Sequence, residues 1–334
     1  MMKTLPQSAL VISLDLELAW GVRDHLPIAR YRKNLLGVRQ AIPAILRLFQ
    51  QYEIHATWAA VGLLFAETRE ELFASLPANR PQYDDPRLSP YPDLEHLRAN
   101  EAEEPCYFGA SLLRQIAATP HQEIGSHSFS HFCCLEAGAS LESFGDDLAA
   151  AQRAAAKRGM VLRSFVFPRN QYSAEHVAAC AGNGFRAMRG TERLWFYQSR
   201  GGREQLLRRF LRWLDSYANI SGENCFALSS DSGTAIHNFP SSRFLRPYAP
   251  SLQAFDPLRR RRILSAMEFA AQRGLGFHLW WHPHNFGIYL EQNLAFLGKI
   301  LAHYAKLRAQ YGMESLSMGE LAERLDASAV AASA

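Results

Sequence analysis

Reactive side chains crowd two short runs of the chain. Three histidines and two tryptophans fall within residues 278–284, as His278, Trp280, Trp281, His282 and His284, with Asn285 next. Two more histidines, His127 and His131, stand four apart in the run EIGSHSFSH. If that segment turns helical, both imidazoles share one face, and neutral imidazole nitrogens suit a borderline ion such as Zn²⁺. A chance pair on a surface turn is the alternative. The run Ser13-Leu14-Asp15-Leu16-Glu17 carries acids at i and i+2, which an extended segment projects to one side. They are either partners in acid–base chemistry or solvated strand-end acids. Arg169, followed by Asn170, lies beyond the apolar run Phe165-Val166-Phe167 and Pro168, placed to keep a carboxylate ionised or to sit in a surface salt bridge. A hydrolase needs a metal that acidifies water, a general base and a general acid, and this inventory contains them. No Gly-x-Ser-x-Gly elbow, Walker loop or Gly-x-Gly-x-x-Gly run competes.

These residues need a scaffold that gathers strand ends. Short apolar runs at 9–14, 54–58, 123–126, 163–167, 185–188, 275–281 and 314–317 read as strands. Helical periodicity over 38–50, 111–118, 141–157, 174–182, 292–310 and 319–325 alternates with them. Such alternation predicts a parallel sheet of about seven units, closed as a distorted (β/α)7-type barrel in a single domain over 1–326. In parallel α/β sheets, ligands gather beyond the carboxyl ends of strands, where the motifs above fall. Weak periodicity over 191–248 predicts an insertion beside the site, and the Ala/Ser-rich segment 327–334 a flexible tail.

Composition excludes several classes. The 334 residues carry a formal charge of only +4, without a long basic block, which argues against nucleic-acid binding. Arg259 to Arg262 reads as a solvated helix start. Five cysteines, at 106, 133, 134, 180 and 225, form no Cys-x-x-Cys pair and suggest reduced thiols. With no signal peptide and no apolar run near the ~20 residues that span a bilayer, a cytoplasmic location is expected.

In order along 9–325, the motifs SLDLE, ATWAAVG, SHSFSH, FPRNQ, LWWHPH and SLSMGEL resemble those of the polysaccharide deacetylases, the NodB-homology or carbohydrate esterase 4 group. SHSFSH is the most specific match. The resemblance implies Asp15 as catalytic base, Arg169 as its orienting arginine, and His127 and His131 as metal ligands. It implies His282 as the group that protonates the leaving amine. The activity implied is metal-dependent removal of acetyl or formyl groups from amino sugars, with Zn²⁺ or another divalent ion. A nucleotide-linked, lipid-linked or soluble sugar is the expected substrate. Leu16 stands where the family has its second aspartate, and Glu17 is taken as the replacement ligand. The departure also leaves open a metal-free, allantoinase-like amide hydrolase and a silent carbohydrate-binding homologue. Trp20, Asn170, Trp280, Trp281, His284 and Asn285 are the expected substrate contacts. Arg243 and Arg246 are candidates for holding an anion or for a structural salt bridge.

Overall fold

A computed structural model describes residues 5–202, 205–229 and 236–333. Its strands are β1 (Ser8–Leu16), β2 (Ala56–Ala60), β3 (Gln122–Ser126), β4 (Ser164–Val166), β5 (Ala187–Arg189), β6 (Phe226–Ala227), β7 (His237–Asn238), β8 (Arg243–Phe244), β9 (Leu275–Trp281) and β10 (Met313–Leu316). Parallel pairing runs β9–β1–β2–β3–β4–β5–β7. β8, a few residues beyond β7, pairs parallel with β9, and the Ser242 N–H donates to the His278 carbonyl. One run of chain therefore pairs with β5 at one end and β9 at the other, closing a distorted barrel of seven staves. β10 pairs with the first half of β1, below the point where β2 takes over the same edge.

β1 is buried along all nine residues, as a strand covered on both faces must be. Leu10, Ile12, Leu14 and Leu16 pack outward into the main core with Val38, Ile42, Ile45 and Phe49 of the helix Ile28–Tyr52. The alternate positions point inward. Val11 joins Ala59, Val166 and Ala187 in an apolar floor, which Leu321 and Leu325 of the last helix help to fill. Above it on the same face come Ser13, Asp15 and, just past the strand, Glu17, all buried. The period of two thus changes the barrel lining from apolar to ionisable along one strand.

Three expectations change, the first at 259–262, where Arg259 and Arg262 are buried against the Arg246 carbonyl and Glu223 instead of solvated. The last helix runs Met318–Ser333, so 327–333 continue a helix that alanine favours, and Asp326 is paired with His237 at 2.7 Å; residue 334 lies outside the described residues. The stretch 191–248 is also more than an insertion. It holds the helix Leu206–Asp215 and supplies the closing strands β7 and β8, too short to show a strand period in sequence. Of this stretch, 203–204 and 230–235 lie outside the described residues. No helix among the described residues is long and apolar enough to cross a membrane.

Candidate active site

Asp15 and Glu17 stand at the mouth of the barrel and are enclosed by imidazoles. His127 Nε2 lies 3.0 Å, His131 Nε2 3.4 Å and His282 Nε2 3.6 Å from Glu17 Oε1, and His282 Nε2 lies 3.9 Å from Asp15 Oδ2. Residues from β1, the β3 turn and the end of β9 therefore converge on one point. Burial alone would push both carboxyls up. For Glu17 the charge of His282 and the closeness of all three imidazoles prevail, holding it well below the usual carboxylate range. Asp15 is also lowered, chiefly by Arg189. Burial works against the charge on His282, but Glu17 and Asp15 outweigh it and raise that ring.

The histidine turn is not helical. Ser128 and His131 both have φ of 59°, in the left-handed region, and other groups must hold them there. The buried Asp147 does so, accepting from the Phe129 N–H at 2.6 Å, the Ser130 N–H at 3.1 Å and the Ser130 hydroxyl. Ser128 Oγ accepts from the Phe132 N–H at 2.7 Å, and the Gly62 N–H donates to the Ser128 carbonyl at 2.9 Å. At Gly62 a Cβ would meet the Phe129 Cα at 2.7 Å, so only glycine allows this approach.

Glu17, His127 and His131 fit a divalent ion. The Val166 carbonyl, 2.8 Å from His127 Nδ1, can only accept, so Nδ1 carries the proton and Nε2 turns to Glu17. A neutral ring cannot donate at both ends, and a cation between Nε2 and the carboxylate removes the conflict. The 3.0 and 3.4 Å separations are those that two bonds of ~2.0–2.2 Å to one ion would span. Leu16 is buried in the outer core and cannot reach the site.

The arginine that holds Asp15 is Arg189, not Arg169. Arg189 and Asp15 are both buried, and the guanidinium forms a fork at 2.7 Å to each carboxylate oxygen, with a third bond to Ser13 Oγ at 2.9 Å. It also lies 4.0 Å from the Trp280 ring centroid, a cation–π contact. Arg169, with φ of 54°, instead pairs with Asp24 at the cavity mouth. A signal for Arg189 was present: it ends an apolar run and precedes Gly190, as strand-end site residues do. His278, fully buried, is held by Ser13 Oγ at 2.9 Å and the Phe239 carbonyl at 2.8 Å, and burial lowers it to about 3, keeping the ring neutral.

A cavity of about 1520 Å³ opens above these groups, and Asn170, Trp280, His284 and Asn285 line it. Trp20 and Trp281 do not. Trp281 is fully buried and sets its edge against Phe49, because β-alternation turns it away from Trp280. Trp20 is buried too, its indole N–H spent on the Tyr107 carbonyl at 2.8 Å. His284 stacks on His282 at 4.9 Å between centroids, and burial with that neighbour lowers it to about 3. Arg243 and Arg246 both line the cavity; Arg243 also binds the buried Asp215 at 3.2 Å, and Arg246 Nε donates to Ser216 Oγ.

No family model matches the chain, and no curated protein matches it. Solved structures do. One described as a polysaccharide deacetylase from Mycobacterium smegmatis aligns over 98% of this chain and 96% of its own, with TM-score 0.59 and 12% identity. The Puue allantoinase aligns over 96% and 91%, with TM-score 0.56 and 13% identity. A 4-alpha-glucanotransferase from Thermococcus litoralis aligns over 95% of this chain but only 40% of its own, with TM-score 0.52 and 12% identity. At such identities the likeness is one of architecture. It extends over nearly the whole length of the first two, so the chain has the polysaccharide deacetylase fold.

Proposed function

We propose that the protein hydrolyses an N-acyl group, acetyl or formyl, from an amino sugar. The observation that carries this reading is the pairing of Asp15 and His282, 3.9 Å apart and pushed in opposite directions by their surroundings. Paired groups with divergent proton affinities divide acid and base roles between them. Asp15, kept ionised by Arg189, takes the proton of the attacking water on the lone pairs that the guanidinium leaves free. His282, whose hold on its proton the two acids strengthen, gives that proton to the leaving nitrogen. Glu17, His127 and His131 would hold the metal, Zn²⁺ or another divalent ion. Such an ion supplies Lewis acidity, polarising an amide carbonyl and lowering the pKa of water towards ~7. Trp280, Asn170, His284 and Asn285 face the cavity where the sugar would lie.

The test is release of acetate or formate from N-acylated amino sugars, free and attached to a nucleotide or lipid carrier. Asp15→Asn and His282→Ala should each lower kcat by about 10²–10⁴. Full activity in either variant defeats the assignment. Ring opening of a cyclic ureide without acyl release would move the reading to a non-sugar amide. Activity in protein shown by elemental analysis to be metal-free would remove the role of Glu17 as a ligand.

A further inference from the structure

The helix Leu206–Asp215, with sequence LLRRFLRWLD, is apolar on a face that is left exposed among the described residues. Leu206 is 79% exposed, Leu207 58% and Phe210 54%. This is no scatter of single side chains. Phe210 stacks on Trp213 at 5.9 Å, Trp213 meets Tyr217 at 5.2 Å, and Tyr217 meets Phe255 at 6.0 Å. Phe255 and Leu258, each 48% exposed, extend the strip onto the start of the helix Asp256–Arg273. Contiguous exposed apolar surface of this kind marks an interaction site.

The charge beside the strip identifies the partner. Arg209 and Arg212 lie on the same helix, and Arg260 and Arg261 follow Leu258 on the neighbouring one, Arg261 exposed. Asp215, the acid of the first helix, is buried and committed to Arg243 and Arg262. Leucines and aromatic rings edged by arginines form the pattern of a helix lying in a membrane interface, with rings at headgroup depth and cations on anionic lipid. The strip also borders the reaction cavity, which Arg209, Phe210, Arg212 and Trp213 line.

We propose that this rim is a docking surface for an anionic lipid bilayer and turns the cavity mouth towards the membrane. Taken with the N-acyl hydrolase reading, on which this step rests, the substrate is an amino sugar carried on a lipid headgroup.

Co-sedimentation of the full chain with phosphatidylglycerol-containing vesicles, against phosphatidylcholine alone, tests the surface without any turnover. Association with the anionic vesicles, weakened by salt, is expected. The double variant Leu206→Glu/Leu207→Glu should lower vesicle affinity by about tenfold or more, given the transfer energy of two leucines. Neither residue lines the cavity, so that variant should still release acyl groups from a small water-soluble substrate. Absence of association with anionic vesicles overturns the proposal, as does association that the double variant leaves intact. A dimer in sedimentation velocity that the double variant turns into a monomer would also overturn it, giving the face to a second copy of the chain. Vesicle binding without hydrolysis of any N-acyl sugar would sink the catalytic reading and leave the docking surface standing.

Discussion

Replacing Arg189 by methionine separates the arrangement in the structure from the one the motif order suggests. Arg189 and Asp15 are 1% and 2% exposed, and the arginine contributes both bonds of the fork at 2.7 Å. Removing one partner of a buried, doubly hydrogen-bonded ion pair leaves an uncompensated charge and costs about 3–5 kcal/mol. The sign with pH follows from Asp15. Its folded pKa is depressed in the wild type, so the pair contributes stability that is present above the unfolded value of ~3.9 and lost as pH falls through the folded one. In Arg189→Met that pKa rises, and the destabilisation shrinks in acid as the carboxyl takes up a proton. Urea unfolding of wild type and variant, near neutrality and near pH ~5, should therefore show a gap that narrows with acidity. Asp15→Asn/Arg189→Met, which buries no charge, should recover part of the loss, a coupling of about 0.5–3 kcal/mol. Arg169→Met is the control. That side chain is 31% exposed in its pair with Asp24, and its loss should cost less than about 1 kcal/mol. Displacing Asp15 by even ~1 Å should also reduce turnover about 10²-fold in Arg189→Met. A tolerated Arg189→Met, or a pH-dependent loss in Arg169→Met, would refute the reasoning.

Asp147→Asn should lower stability by about 1–3 kcal/mol in urea unfolding and weaken zinc uptake in equilibrium dialysis, because one amide oxygen cannot serve all three donors of the histidine turn. Zinc should raise the melting temperature, by the equivalent of about 2.7 kcal/mol at a hundredfold excess over Kd. Glu17→Gln should abolish that rise, and adding Leu16→Asp should not restore it. Trp281→Ala should cost about 3–5 kcal/mol in unfolding with KM unchanged in the folded fraction, whereas Trp280→Ala should raise KM. Burial pushes Glu320 up, but the His55 bond at 2.7 Å and the Ser317 N–H hold it below its ordinary value, so its contribution is present above pH ~4.3 and lost below. Glu320→Gln should flatten this acid limb of the melting curve, an effect under about 1 kcal/mol at a partly exposed site.

The frame was legible where local pattern and tertiary packing agree. The strand at 275–281 and the helix at 174–182 have the limits their periodicity predicts, since each is bounded by Gly, Ser or Pro chemistry. The carboxylates at 15 and 17 were legible as a same-side pair because the period of two needs no tertiary information. What failed depends on other parts of the chain. The turn after β3 is non-helical because Asp147, some twenty residues on, offers its N–H groups a better acceptor than a helix would. β7 and β8 are two residues each, and only their pairing with β5 and β9 defines them. Trp281 was a substrate candidate through proximity to histidines, although alternation already placed it opposite Trp280. The resemblance points to Arg169, which follows a strand and a proline. Arg189 ends a strand equally well, and only the curvature of the barrel brings it across to Asp15.

The substitution at position 16 follows from the same strand geometry. β1 stays extended through Leu16, so its odd-numbered side chains enter the barrel and its even-numbered ones face the helices. An acid at 16 would have to leave a packed core beside Val61 and Trp58, or β1 would have to twist out of register with β2, where Leu16 pairs with Ala60. Moving the second acid to 17 costs neither. It keeps Leu16 in the outer core and sets Glu17 on the same wall as Asp15, one step nearer the mouth. That displacement is matched across the cavity, for Glu17 reaches His127, His131 and His282 with a single oxygen while Asp15 is left to Arg189 and His282. The two acids are thereby separated in function by one strand period, one turned to nitrogen ligands and the other to a fixed cation. An aspartate at 17 would be one methylene short of those imidazoles. Glu17→Asp should therefore weaken zinc uptake while leaving the Arg189 pair and the fold intact, an outcome that metal titration and the melting temperature of the metal-free protein check together.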